Sequence, residues 1–243
     1  MEKPKVLIFD IETSPIVAHV WGLRDQNISL NQIVKDWQVL AWAAKWLGED
    51  YVWYADTRNH KTDKPILDRL WHLLNEADIV ITQNGQNFDS RKLNARFIEY
   101  GMKPPKPYKH LDTYKIAKAI GAFTSHKLEY LTDKLCTKYK KLSHKNFPGM
   151  SLWNECLKGN VKAWNEMKKY NIHDVLSTEE LYTKLKGWTP ASMPSRGLEK
   201  ADCRVCGSGT RMWHKGYEIK KTGRYHRYQC QGCFAWTTGG KDK

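Results

Sequence analysis

Two Cys-x-x-Cys pairs near the C-terminus, Cys203/Cys206 and Cys230/Cys233, restrict what the end of this chain can become. Four thiolates in two pairs, with 23 residues between Cys206 and Cys230, fit one tetrahedral zinc ion held by a small module. The interval is slightly longer than the commonest spacing, and a longer hairpin absorbs the difference. Cys206-Gly207 supplies a glycine where the first knuckle must turn, whereas Phe234 follows Cys233 where glycine often stands. An all-thiolate site leaves no open coordination position, so the zinc is expected to be structural and the module to unfold without it. Cys136 and Cys156 stand alone, a pattern that suits reduced thiols and zinc better than a disulfide framework.

A chain of 243 residues suits one sizeable domain plus a small one. Its net charge of +14 is unevenly spread: residues 191–243 carry 11 Lys/Arg against 4 Asp/Glu, a net of +7, and the longer remainder carries the same net charge. The basic tail points to a polyanion, most simply nucleic acid, with a merely soluble basic surface as the plainer reading. The N-terminal residues have no signal-peptide shape and no apolar run is long enough to span a membrane, so a cytoplasmic protein without a membrane partner is expected.

Short apolar runs predict buried strands at Val6-Leu7-Ile8-Phe9, Gln38 to Trp46, Tyr51 to Tyr54, Ile79 to Thr82 and His110 to Asp112. Gly48-Glu49-Asp50 reads as a hairpin turn. Helical spacing runs from Asp63, a candidate cap, through Ala77, with Pro65 in its first turn. Further helices are predicted at Ser90 to Tyr100, after Asp112 through Ile120, at Ser125 to Cys136, and over Ser151 to Trp188 with a break near Gly159. Strands followed by alternating helices and strands predict a mixed α/β domain over residues 1–188. A linker is expected over 189–201 and the cysteine module over 202–243.

Three acidic patches punctuate the body. Alternation along a strand places Asp10 and Glu12 on one face, where like charges are costly unless a cation neutralises them, and hard oxygen ligands suit Mg²⁺ or Mn²⁺. A surface or turn pair is the alternative. Asp89 opens a helix after Asn84-Gly85-x-x-Phe88, where a helix cap and a turn asparagine are common roles. Tyr170 and Asp174, four apart, share a helical face, as would a core tyrosine beside an exposed aspartate. Asp112 fits best as the cap of the helix after it.

Taken in order, Phe9-Asp10-Ile11-Glu12-Thr13, Asn84-Gly85-x-x-Phe88-Asp89 and Tyr170-x-x-x-Asp174 resemble the three motifs of the DnaQ-like superfamily of 3′–5′ exonucleases. The resemblance is to the branch with a tyrosine in its third motif; the sister branch would have a histidine where Lys169 stands. Ser125 to Leu131 is similar to the helix that family places between its second and third motifs. The resemblance covers roughly residues 5–188. It implies an RNase H-like fold whose acids converge on two Mg²⁺ or Mn²⁺ ions. Asp10 would bridge both, Glu12 and Asp174 would complete the first site, and Asp89 would hold the second, mostly through water. It implies that Tyr170 orients the attacking water, that Thr13, Asn84 and Phe88 lie near the terminal nucleotide, and that the product is a nucleoside 5′-monophosphate. His173 would point away from this site.

Between the cysteine pairs, Arg211, Lys215, Arg224 and Arg227 interleave with Trp213, Tyr217, Tyr225 and Tyr228, a composition suited to phosphate contact and base stacking. A solvated hairpin with packing aromatics is the alternative. The module resembles a zinc ribbon, a fold that serves both nucleic-acid and protein binding. The sequence therefore predicts a 3′–5′ exonuclease on single-stranded DNA, with RNA also admitted. The alternatives are a nuclease subunit recruited to a replication or repair protein through the ribbon, and a non-catalytic nucleic-acid-binding adaptor.

Overall fold

The computed structural model describes residues 4–140, 142, 146–189, 203, 205, 212–220 and 222–241. The expected linker beyond Thr189, Cys206 and Arg211 lie outside the described residues. Among those described, a five-stranded mixed sheet carries the body of the chain. Its strands are β1 (Val6–Thr13), β4 (Val39–Trp46), β5 (Trp53–Asp56), β6 (Ile79–Thr82) and β7 (Lys109–Asp112), in the order β5-β4-β1-β6-β7. β1 is antiparallel to β4 and parallel to β6, so it is central. Between β1 and β4, a small ribbon pairs β2 (Val17–Ala18) with β3 (Ile33–Lys35). The helices are α1 (Lys64–Glu76), α2 (Asp89–Glu99), α3 (Thr113–Ile120), α4 (Leu128–Leu135), α5 (Ser151–Leu157) and α6 (Val161–Leu185).

Alternation along β1 sorts its side chains between two layers. Leu7, Phe9 and Ile11 pack with Ile66, Leu70 and Leu74 of α1 and Leu93 and Phe97 of α2. Val6 and Ile8 pack instead with Ile79, Ile81, Leu111 and, from α6, Val175 and Tyr182. Asp10 and Glu12 continue the phase of Val6 and Ile8, so the strand aims both carboxylates at the α6 layer. Two further contacts fix α6 there. Glu179 takes the ammonium of buried Lys45 on β4, and it accepts the Gly48 N–H at 2.8 Å in the turn after that strand.

Three expectations shift. The third strand begins at Trp53 rather than Tyr51, and α4 begins at Leu128 rather than Ser125. Asp63 occupies the cap position of α1, but its side chain makes no capping bond. The fully buried carboxylate accepts instead from Val39 N–H at 2.9 Å, Arg96 Nη2 at 2.6 Å and Tyr100 Oη at 2.6 Å, tying β4, α1 and α2 together. The helix break at Gly159 is present, with φ of +83°. No helix among the described residues is long and apolar enough to cross a membrane.

Three antiparallel strands follow: β8 (Met212–Lys220), β9 (Gly223–Cys230) and β10 (Trp236–Lys241), with β9 in the middle. The β8–β9 hairpin takes up most of the long interval between the cysteine pairs.

The weight of the Asp63 cluster can be measured. Removing one partner of a buried pair leaves an uncompensated charge, so Arg96→Ala should cost about 3 kcal/mol in urea unfolding. Lys64→Ala, which breaks the exposed Lys64–Asp68 pair on α1, should cost under about 0.5 kcal/mol.

Candidate active site

Asp10, Glu12 and Asp174 meet where β1 faces α6, their ligand atoms all within 4.8 Å of one another. β1 supplies the first two by strand alternation, and α6 supplies Asp174 one turn after Tyr170, both buried. At Glu12 the pairing with β4 slips: Glu12 lies opposite Ala41, but Thr13 opposite Val39. Leu40 is therefore the extra residue of a bulge, and its carbonyl accepts from Thr57 N–H at 2.9 Å. The bulge bends β4 beside the acids and leaves Thr13 half-buried at the strand end.

Asp89 stands outside this trio but is joined to it. It is the first residue of α2, with Phe88 at the cap position, and its Oδ1 accepts the Ile11 N–H at 3.0 Å, between Asp10 and Glu12. Burial pushes its carboxyl up to about 7, and the charge of Asp112 adds to the rise.

Asp112 is the cap expected of it, accepting from Tyr114 N–H at 3.0 Å, and it does more. Its two oxygens also take the N–H groups of Asn84 at 2.8 Å and Gln86 at 3.1 Å, which holds the loop leading to Asp89. Within that loop Asn84 adopts φ of +62°, a conformation asparagine tolerates. Its carbonyl accepts from Asn87 and Phe88. A Cβ on Gly85 would sit 2.4 Å from Thr82 Oγ1 and 2.5 Å from Thr82 Cβ, so only glycine lets the loop close onto β6. Phe88 is left 40% exposed beside Asp89.

Two site residues escaped the sequence reading. Asn171 of α6 donates from Nδ2 to Asp10 Oδ2 at 2.7 Å, and Trp153 of α5 donates from Nε1 to Glu12 Oε2 at 3.2 Å. The Trp153 ring also meets Tyr170 edge-on, with centroids 6.3 Å apart. Asn171 carries a weak signal, since it lies three residues before Asp174 and so shares a helical face with it. Trp153 carries none. His173 faces elsewhere, against the Tyr139 ring and the Lys140 carbonyl.

The donor set suits a hard divalent cation: three carboxylates in one cluster and a fourth adjoining it. At the other end of the chain, Cys203, Cys230 and Cys233 bring their sulfurs within 4.8 Å of one another. Val205 N–H points at Cys203 Sγ at 3.4 Å and Gly232 N–H at Cys230 Sγ at 3.3 Å, each two residues on in the chain, as suits thiolates. Phe234 adopts φ of +59°, which is why glycine would be favoured there. Of the basic residues singled out, Lys215 lies over the Trp213 ring at 4.7 Å, Arg224 over Tyr217 at 4.4 Å and Arg227 over Trp236 at 4.8 Å.

The model of the RNase H superfamily matches residues 42–186. The DNA polymerase III PolC-type of Ureaplasma parvum serovar 3 is 27% identical over 108 residues, which cover 44% of this chain and 7% of that protein. Among solved structures, the family B DNA polymerase of the archaeon Pyrobaculum calidifontis is similar over 79% of this chain and 26% of its own, at 15% identity and a TM-score of 0.49. The chain thus spans only a small share of the length of each of these two proteins.

His110 makes a test of the packing under the Asp89 loop. Its ring nitrogens meet Thr82 Oγ1 at 2.7 Å and Ser90 Oγ at 3.3 Å, and burial lowers its imidazole to about 4. The folded state therefore refuses a proton that the unfolded chain accepts near pH 6.5, and stability falls as pH drops from about 6.5 to about 4. Asp89, raised by burial, works in the opposite sense, losing stability as pH rises through the same range. The difference between the native chain and His110→Asn isolates the histidine. The native chain should lose stability relative to the variant between pH 6.5 and 4, as followed by urea unfolding.

Proposed function

Because the chain belongs to the RNase H superfamily, we propose that it is a metal-dependent 3′–5′ exonuclease of the DnaQ-like, tyrosine-bearing type. The observation that carries this reading is the convergence of Asp10, Glu12 and Asp174 within 4.8 Å, with Asp89 hydrogen-bonded to the strand between the first two. Asp10, Glu12 and Asp174 would hold one Mg²⁺ or Mn²⁺, and Asp10 with Asp89 a second. Such a pair of ions, when bound, activates a water and offsets charge on the attacking and leaving oxygens. Tyr170, one turn before Asp174 on α6, would orient that water by a hydrogen bond. Phe88, exposed next to Asp89, Thr13, at the end of β1, and the loop residue Asn84 would contact the terminal nucleotide. We assign residues 1–188 to this catalytic unit.

Residues 202–243 form, in this reading, a Cys₄ zinc ribbon, with Cys206 as fourth ligand. Its cation-capped rings at Trp213, Tyr217 and Trp236 are suited to grip a single strand by stacking and phosphate contact. DNA is favoured as substrate over RNA because the PolC-type relative is named as a DNA polymerase.

Zinc-loaded protein offered 5′-labelled single-stranded DNA and RNA with Mg²⁺ or Mn²⁺ should yield ladders that shorten from the 3′ end, faster on DNA, and release nucleoside 5′-monophosphates. Asp174→Ala should lose about 10²–10³-fold or more of the rate, and EDTA all of it. Intact substrates in every lane, with binding retained in a gel shift, would overturn the enzyme and leave an adaptor. Elemental analysis should give one zinc per chain. Stripping it should release amide protection in β8–β10 while β1 and β6 stay protected in hydrogen exchange.

A further inference from the structure

The two carboxylates that β1 presents are each met by a neutral donor from the α5–α6 layer, and this pairing has a chemical logic. An amide or an indole N–H orients a carboxylate without itself contributing a charge. Asn171 is fully buried, and its amide nitrogen reaches both Asp10 Oδ2 at 2.7 Å and the Asp10 main-chain carbonyl at 3.3 Å. By bridging the side chain and backbone of one residue, the amide sets the rotamer of the Asp10 carboxylate. Its orientation follows from the chemistry, since both Asp10 atoms are acceptors and only the nitrogen can face them. The other end of the amide bears a cost: Asn171 Oδ1 is buried with no hydrogen-bond partner. Leucine has the same branched side-chain skeleton and no polar atom to leave unpartnered, so the cost is specific to the amide. Trp153 completes the set, its indole N–H on Glu12 Oε2 and its ring against Tyr170.

We propose that Asn171 and Trp153 are positioning residues that fix the Asp10 and Glu12 carboxylates in a cation-ready geometry before any metal arrives. The inference rests on the metal-dependent reading above and concerns metal affinity rather than the chemical step. Partners of this kind are worth about 10–100-fold in the affinity of the ligands they orient.

The test measures Mn²⁺ binding directly, as the loss of the free-ion electron paramagnetic resonance signal, on full-length zinc-loaded protein. Thermal unfolding of the same samples without Mn²⁺ is recorded alongside. Asn171→Leu removes the amide and the unpartnered oxygen together, and Trp153→Phe keeps a ring but removes the N–H. Both should bind Mn²⁺ about 10–100-fold more weakly. Their unfolding temperatures should be unchanged, or raised for Asn171→Leu, and nuclease activity should recover at high Mn²⁺. Native affinity in both variants overturns the inference, as does weaker binding that only tracks lost stability. Should Asn171→Leu fail to fold, Trp153→Phe decides on the same readout. A native chain that binds Mn²⁺ more tightly than the variants but cleaves nothing would sink the nuclease reading and leave this one standing. A native chain that binds no Mn²⁺ would remove both.

Discussion

Carboxylates drawn to within 4.8 Å repel one another, and the cluster of Asp10, Glu12 and Asp174 exists only because stronger forces hold its two supports together. Each pair of charges costs between about 1 and 4 kcal/mol, depending on how much water screens it. Against that, β1 is laddered on both edges, antiparallel to β4 and parallel to β6, so it cannot slide away. α6 is pressed to the sheet by Val175 and Tyr182 and tied to β4 through Glu179 and Lys45. Val175 and Glu179 lie within two turns of Asp174 along α6, and Tyr182 just beyond. Asp89 is held through a different route, by a backbone N–H of β1 and by a loop that Asp112 and Gly85 close. The two routes converge on one strand end, which concentrates negative charge where a divalent cation is most strongly attracted.

Much of this was legible in the sequence because its signals are local. The strands that matter are short apolar runs, and alternation alone places Asp10 and Glu12 on one face. Spacing of four places Tyr170 with Asp174 on a helix. Asp63 shows where local reasoning stops: its position before α1 is that of a cap, yet its carboxylate serves Val39, Arg96 and Tyr100. A buried carboxylate with a guanidinium in reach gains more from that partner than from a helix end. Trp153 and Asn171 were unreadable for a related reason, since their acceptors lie 141 and 161 residues away. No periodicity reports such a distance.

The superfamily match begins at residue 42, after the strand that carries Asp10 and Glu12. The placement of those two carboxylates against Asp174 is therefore independent of the match. At the far end of the chain, the sulfurs of Cys203, Cys230 and Cys233 lie within 4.8 Å of one another, with an N–H group aimed at Cys203 and another at Cys230. Phe234, next to Cys233, holds a left-handed conformation there.

The most direct test of the acidic centre is a crystal of the protein grown with Mn²⁺ and a nucleoside 5′-monophosphate, with anomalous scattering recorded at the manganese edge. The convergence of the carboxylates predicts one peak ligated by Asp10, Glu12 and Asp174 and a second between Asp10 and Asp89, with the phosphate of the nucleotide on both. Saturating Mn²⁺ that leaves no anomalous density among these four carboxylates would contradict it.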